Sequence, residues 1–256
     1  MPRIQLLTGW LAFAVLLVLA GGEAGAQSPV TESQLETALG LNQSDLTGLN
    51  NGPATSGSAI SQSITVSAGA TLTFDYNFLT NAPPPGTGPG GLLGALDPFA
   101  FITSPTLTDF VDNYYNYPVP MAAAPTGTGF LYQSGYNSFS ETFANAGTYT
   151  LGIGVANVTT DSYSSALLVD NFALTGGTLN NPMFATGDFT GWSTVGNASV
   201  VMSSFGIPPT NGTYEGLIST ASVPEPSALV LLATGLIGAA VVVRRRVSRQ
   251  AKPHAI

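Results

Sequence analysis

The chain has no cysteine. That excludes a disulfide framework, a thiol nucleophile and thiolate metal sites. Basic residues are almost as scarce. There are six in 256 residues: Arg3, Arg244, Arg245, Arg246, Arg249 and Lys252. The single histidine is His254. Between Gln27 and Ser222 there is no Lys, Arg or His at all. A Ser-His-Asp triad, a Schiff-base lysine and a His-ligated zinc site are therefore excluded from that stretch. Side-chain cations for phosphate or nucleic acid are excluded with them. Only 8% of residues are charged.

What the stretch does hold is acid: Glu32, Glu36, Asp45, Asp75, Asp97, Asp109, Asp112, Glu141, Asp161, Asp170, Asp188 and Glu215. The apolar content is 44%, too high for a disordered polyanion. The body reads as a folded acidic domain, and the cations stand beside two hydrophobic runs at the ends. That is the pattern of a translocated domain between membrane signals.

At the N-terminus, Arg3 precedes an apolar run centred on Leu11–Ala20, and small residues follow. Ala24 and Ala26 form an A-x-A cleavage site that leaves Gln27 as the new first residue. Residues 1–26 are thus expected to be a secretory signal peptide. At the other end, Ala228 to Val243 carries no charge and is followed at once by Arg244-Arg245-Arg246. As a helix this run spans about 24 Å, slightly short of the bilayer core, and flanking residues or local thinning make up the difference. The arginine cluster stops translocation and stays cytoplasmic. Both ends place residues 27–222 outside the cytoplasm.

Val223-Pro224-Glu225-Pro226 stands just before that apolar run. The two prolines bar helix and hold the segment extended, the form a protease cleft binds, and Glu225 marks it with one charge. A Val-Pro-Glu-Pro motif, a short apolar helix, an arginine cluster and the chain end, in that order, resemble the PEP-CTERM sorting domain of bacterial exported proteins over residues 223–250. The resemblance implies an exosortase substrate. It would be exported by the secretion machinery, held transiently in the membrane, cut near Pro-Glu-Pro, and passed to the cell surface or exopolysaccharide matrix.

The body is expected to be mainly β. Thr71–Leu79 alternates with period 2, with Leu72, Phe74, Tyr76 and Phe78 on one face. Gly147–Val158 alternates likewise, and Gly152 and Gly154 on its second face predict a close approach or bulge. Further strands are expected at Ser61–Val66, Phe99–Thr103, Gly129–Ser134, Ser138–Phe143, Ala166–Leu174 and Ser199–Ser203, with one short helix within Thr31–Leu49. The segments 68–80, 146–155 and 167–174 resemble the jelly-roll body common in PEP-CTERM proteins, which implies a jelly-roll-like β-sandwich over 27–175. Asn180–Trp192 (NNPMFATGDFTGW) resembles the opening of a carbohydrate-binding-like jelly roll, so 176–222 is either extra strands or a truncated module of that kind.

No enzyme is expected, and no cofactor beyond a possible calcium ion. Asp75 and Asp170, beside Asn77 and Asn171, offer oxygen ligands for calcium but lack EF-hand spacing. Tyr114, Tyr115 and Trp192, together with Tyr117, Tyr132 and Tyr136, are candidates for stacking on sugar rings. The expected role is structural or exopolysaccharide-associated. A carbohydrate-binding module is the alternative, and a two-carboxylate glycosidase comes third. The acidic surface repels nucleic acid.

Overall fold

The computed structural model describes residues 28–49, 53–82, 99–103, 109–113, 121–159 and 161–221. The signal-peptide residues Ala24, Ala26 and Gln27, the stacking candidates Tyr114 and Tyr115, and the whole segment 222–256 lie outside them.

Two antiparallel sheets form a β-sandwich. The first contains β1 (Val30–Thr31), β2 (Ala54–Val66), β9 (Gly147–Val158), β4 (Phe99–Thr103) and β5 (Asp109–Asn113) in that spatial order, with β11 (Ser193–Val195) also on β2. The second runs β12 (Asn197–Val201), β13 (Glu215–Ser219), β10 (Ser165–Leu174), β3 (Ala70–Thr80), β7 (Tyr132–Gln133) and β6 (Ala122–Ala123). There β8 (Asn137–Phe143) pairs with part of β3. Residues 176–221 therefore add a strand to the first sheet and two to the second.

Alternation sets the core. Leu72, Phe74, Tyr76 and Phe78 of β3 point inward, as do Leu167 and Val169 of β10. They meet Ile60 and Ile64 of β2 and Leu151, Ile153 and Val155 of β9 across the sandwich. Phe74 stacks on Phe172 with centroids 4.9 Å apart.

The far half of β9 is buried on both faces. Its second face carries Gly152, Gly154, Ala156 and Val158, and a helical layer lies on the last two. That layer is α1 (Glu32–Leu39) and α2 (Asp45–Leu49), where the sequence predicted one helix. Gly40 breaks the run by taking a left-handed C-cap at φ 73°. Thr31 and Gln34 close a capping box at the N-terminus of α1. Buried Glu36 accepts the Leu46 amide at 3.1 Å and so ties the two helices together. Leu35, Leu39 and Leu46 then seal against Ala54, Ala59, Ala156 and Val158. Small residues are needed here: a Cβ on Gly57 would stand 2.6 Å from Leu35 Cδ2.

The loop 180–192 folds on its own hydrogen bonds. Asn181 Nδ2 donates to Thr186 Oγ1 at 2.8 Å and to the Asp188 carbonyl at 2.9 Å, and Asp188 Oδ1 accepts from Thr186 and Thr190. The loop drives Phe184 and Trp192 into the main core. This corrects the expectation for Trp192. At 7% exposure, against Phe172 and Phe184, its ring has no face open to a sugar.

Candidate functional site

The outer face of the second sheet carries the chemistry. Antiparallel register sets Asp75 of β3 directly opposite Asp170 of β10. The register that pairs Val169 with Gly216, carried one residue further, sets Asp170 beside Glu215 of β13. Three carboxylates thus stand in a row across three adjacent strands, on one face. Like charges directly opposite are destabilising, so the row needs compensation.

A bulge shapes one end of it. The β10–β3 register shifts between Asp170 and Ala173, and Asn171 takes φ 55°, a conformation Asn tolerates well. The shift turns Phe172 into the core and Asn171 outward. Asn171 Nδ2 then donates to Asp75 Oδ2 at 3.0 Å, and Ser138 Oγ donates to Asp75 Oδ1 at 2.6 Å. Burial pushes the Asp75 carboxyl up, but these bonds, with one from Thr210, outweigh it and hold the group below its ordinary value.

Asp170 and Glu215 are both fully buried, at 0% exposure. Asp170 Oδ2 accepts from the Asn211 amide at 2.7 Å and from Thr210 Oγ1 at 3.1 Å. Burial still raises its pKa. Glu215 Oε2 accepts from the Tyr136 hydroxyl. Burial lifts Glu215 to about 7; the Tyr136 bond opposes the shift and the Asp170 charge adds to it. Tyr136 is itself pushed well above the usual phenol range, first by burial and then by Glu215. Asp170 Oδ1 and Glu215 Oε1 are buried and have no hydrogen-bond partner.

Beside the row lies a groove of about 400 Å³. Asn77, Gln133 and Tyr136 line one side, and Ile207, Pro209 and Thr210 the other. Asn77 Nδ2 donates to Gln133 Oε1 at 2.9 Å, which fixes both amides. Leu79, Ala166, Leu168, Ile207 and Leu217 form a separate apolar cluster, against which Tyr136 of the groove packs.

Asp75 and Asp170 were legible as oxygen donors, and the fold makes them neighbours. Tyr136, one of the aromatic residues offered for sugar stacking, lines the groove. Glu215 stood out only as one of the body's acids, and its signal was negative: a domain with no basic residue has no side chain to neutralise a buried acid. Among the described residues no group of three acidic, His or Cys side chains is placed to hold a metal ion. None of their helices is long and apolar enough to cross a membrane; the apolar run 228–243 lies outside them.

Beyond the last described residue, Ala221, the sequence of residues 222–246 matches the PEP-CTERM protein-sorting motif. The chain carries a PEP-CTERM sorting motif. Such a motif marks an exported protein sorted through an exosortase. The match takes in Val223-Pro224-Glu225-Pro226 and runs to Arg246 of the basic cluster. No curated protein and no solved structure matches the chain.

Proposed function

We propose that this PEP-CTERM protein is a surface or matrix component that associates with exopolysaccharide through the groove on its second sheet. Export by way of the signal peptide ends in transient anchoring by residues 228–243. Exosortase cleavage near Val223–Pro226 then releases the sandwich to the cell surface. The motif at 222–246 is the observation that carries the sorting step. The groove supports the glycan step: it offers a tyrosine ring packed on an apolar cluster, two fixed amides and the exposed Thr210. Sugar sites combine such aromatic and amide surfaces. A glycosidase reading is disfavoured, since an acid and a base must touch the glycosidic oxygen and the anomeric carbon or water. Asp170 and Glu215 are sealed from solvent.

The test is binding of exopolysaccharide from the native host. Gln133→Ala removes one fixed amide and is expected to weaken binding about 5- to 10-fold, the worth of one or two hydrogen bonds. Its thermal unfolding should stay within a few degrees of wild type. Undiminished binding by Gln133→Ala and by Tyr136→Ala together would place the glycan elsewhere.

A further inference from the structure

Asp170 and Glu215 pose a charge problem that this sequence cannot solve from within. Buried carboxylates are normally paired with a cation or coordinated to a metal. The domain from Gln27 to Ser222 has no Lys, Arg or His to supply one. Hydrogen bonds from Tyr136, Thr210 and the Asn211 amide occupy one oxygen of each group. The other two, Asp170 Oδ1 and Glu215 Oε1, are buried and unpartnered. The two side chains stand on adjacent strands, on the outer face of the sheet, beneath the Tyr136 hydroxyl. A buried polar atom without a partner costs roughly 1–3 kcal/mol, more if charged, so two at one place call for an occupant.

We propose that Asp170 and Glu215 form a calcium site that ties β10 to β13. The donors are all oxygen, which disfavours zinc and copper. Magnesium demands a strict octahedron and gives up water reluctantly, whereas calcium accepts an irregular shell. One ion would serve both free oxygens; a proton shared between the two carboxyls is the competing neutraliser, and the two differ in their response to calcium and to acid. With only two carboxylates, the remaining ligands are neutral oxygens, the composition of a weak site matched to millimolar calcium outside the cell. The ion would lock Glu215–Ser219, the last strand before the sorting motif, onto the sheet.

The experiment uses the full chain purified in detergent and stripped with EDTA. Calcium is titrated by calorimetry, and thermal unfolding is followed with EDTA, 10 mM calcium or 10 mM magnesium. One calcium per chain is expected, with Kd about 10⁻⁴–10⁻³ M. Calcium should raise Tm by about 5 °C over EDTA, and magnesium by less. Glu215→Gln should weaken calcium binding at least tenfold. If Glu215→Gln folds and keeps the wild-type calcium response, the site assignment is overturned. If that variant does not fold, the wild-type titration decides: no bound calcium at 10 mM overturns the proposal. A wild-type Tm that ignores calcium and rises only on acidification does so as well, and makes the neutraliser a proton.

Discussion

Phe184→Ala is expected to destabilise the domain by about 3–5 kcal/mol, the cost of emptying a fully buried aromatic site. Phe184 is 0% exposed and packs edge-on to Phe172 and Phe189, at 6.0 and 5.3 Å between centroids. The β13 backbone also rests on its ring, since a Cβ built on Gly216 would meet Phe184 Cζ at 3.0 Å. The side chain thus joins the loop 180–192, the strand before the sorting motif and the aromatic centre of the sandwich. Its backbone takes φ 48°, so the loop holds it in a conformation few side chains adopt. The neighbouring side chains cannot collapse freely into the hole, because Phe172 and Trp192 pack on each other, 5.2 Å between centroids. Urea denaturation at fixed pH measures the effect, and Tm should fall by roughly 10 °C. Leu131→Ala, at a 60% exposed position, serves as the control and should change stability by less than about 0.5 kcal/mol. A cost below about 1 kcal/mol for Phe184→Ala would mean that 180–192 is an appendage and not part of the core.

The second large effect is on pH. Without divalent cations, stability should fall as pH rises from about 4.5 to about 7. Glu215 titrates near 7 in the folded state, above its ordinary 4.5. Across that window the folded protein keeps a proton that the unfolded chain releases, so raising the pH favours unfolding. The contribution is fully present below 4.5 and is lost by the time pH has passed 7. It amounts to on the order of 3 kcal/mol at most. The groups facing Glu215 are Tyr136 and Asp170, and Asp75 acts on Tyr136 in turn. Asp170 is raised as well and acts in the same direction. Asp75, Asp161 and Asp188 are lowered, so their contributions are lost only as pH falls through their own lower values. Stability in EDTA should therefore peak on the acid side of neutrality. Urea midpoints at pH 5 and pH 8 measure it. Glu215→Gln should flatten the difference. A midpoint that rises from pH 5 to pH 8 would show that the acid row is already neutralised by something other than protons.

The parts of this fold that show in the sequence are those with one wet face. β3 alternates because its outer residues Thr71 and Thr73 are half-exposed while Leu72 and Phe74 are buried, and Phe99–Thr103 falls on the residues expected. β13 was missed because all five of its residues are buried, so Glu215–Ser219 has neither alternation nor an apolar run to betray it. The first half of β2 was missed for a related reason. From Ala54 to Ser58 it is built of small residues, because Leu35 of the helical layer packs against it. The faces of aromatics were equally hard to assign. Trp192 and Phe184 lie in a loop punctuated by Asn and Gly that reads as surface, yet positive φ at Asn181, Phe184, Gly187 and Gly191 folds both rings inward. The acid row lay beyond reach because Asp75, Asp170 and Glu215 are distant in sequence. Only the order β13-β10-β3 brings them together. The sorting motif, by contrast, is local, and a contiguous stretch of residues carries all of it.

The most direct test of the central account is the intact mass of the protein recovered from its native host, for wild type and Glu225→Ala. Wild type is expected to begin at Gln27 and end near Pro226, and Glu225→Ala to keep its tail through Arg244-Arg245-Arg246. If both proteins retain residues 228–243, the motif is not processed, and the segment is a permanent anchor.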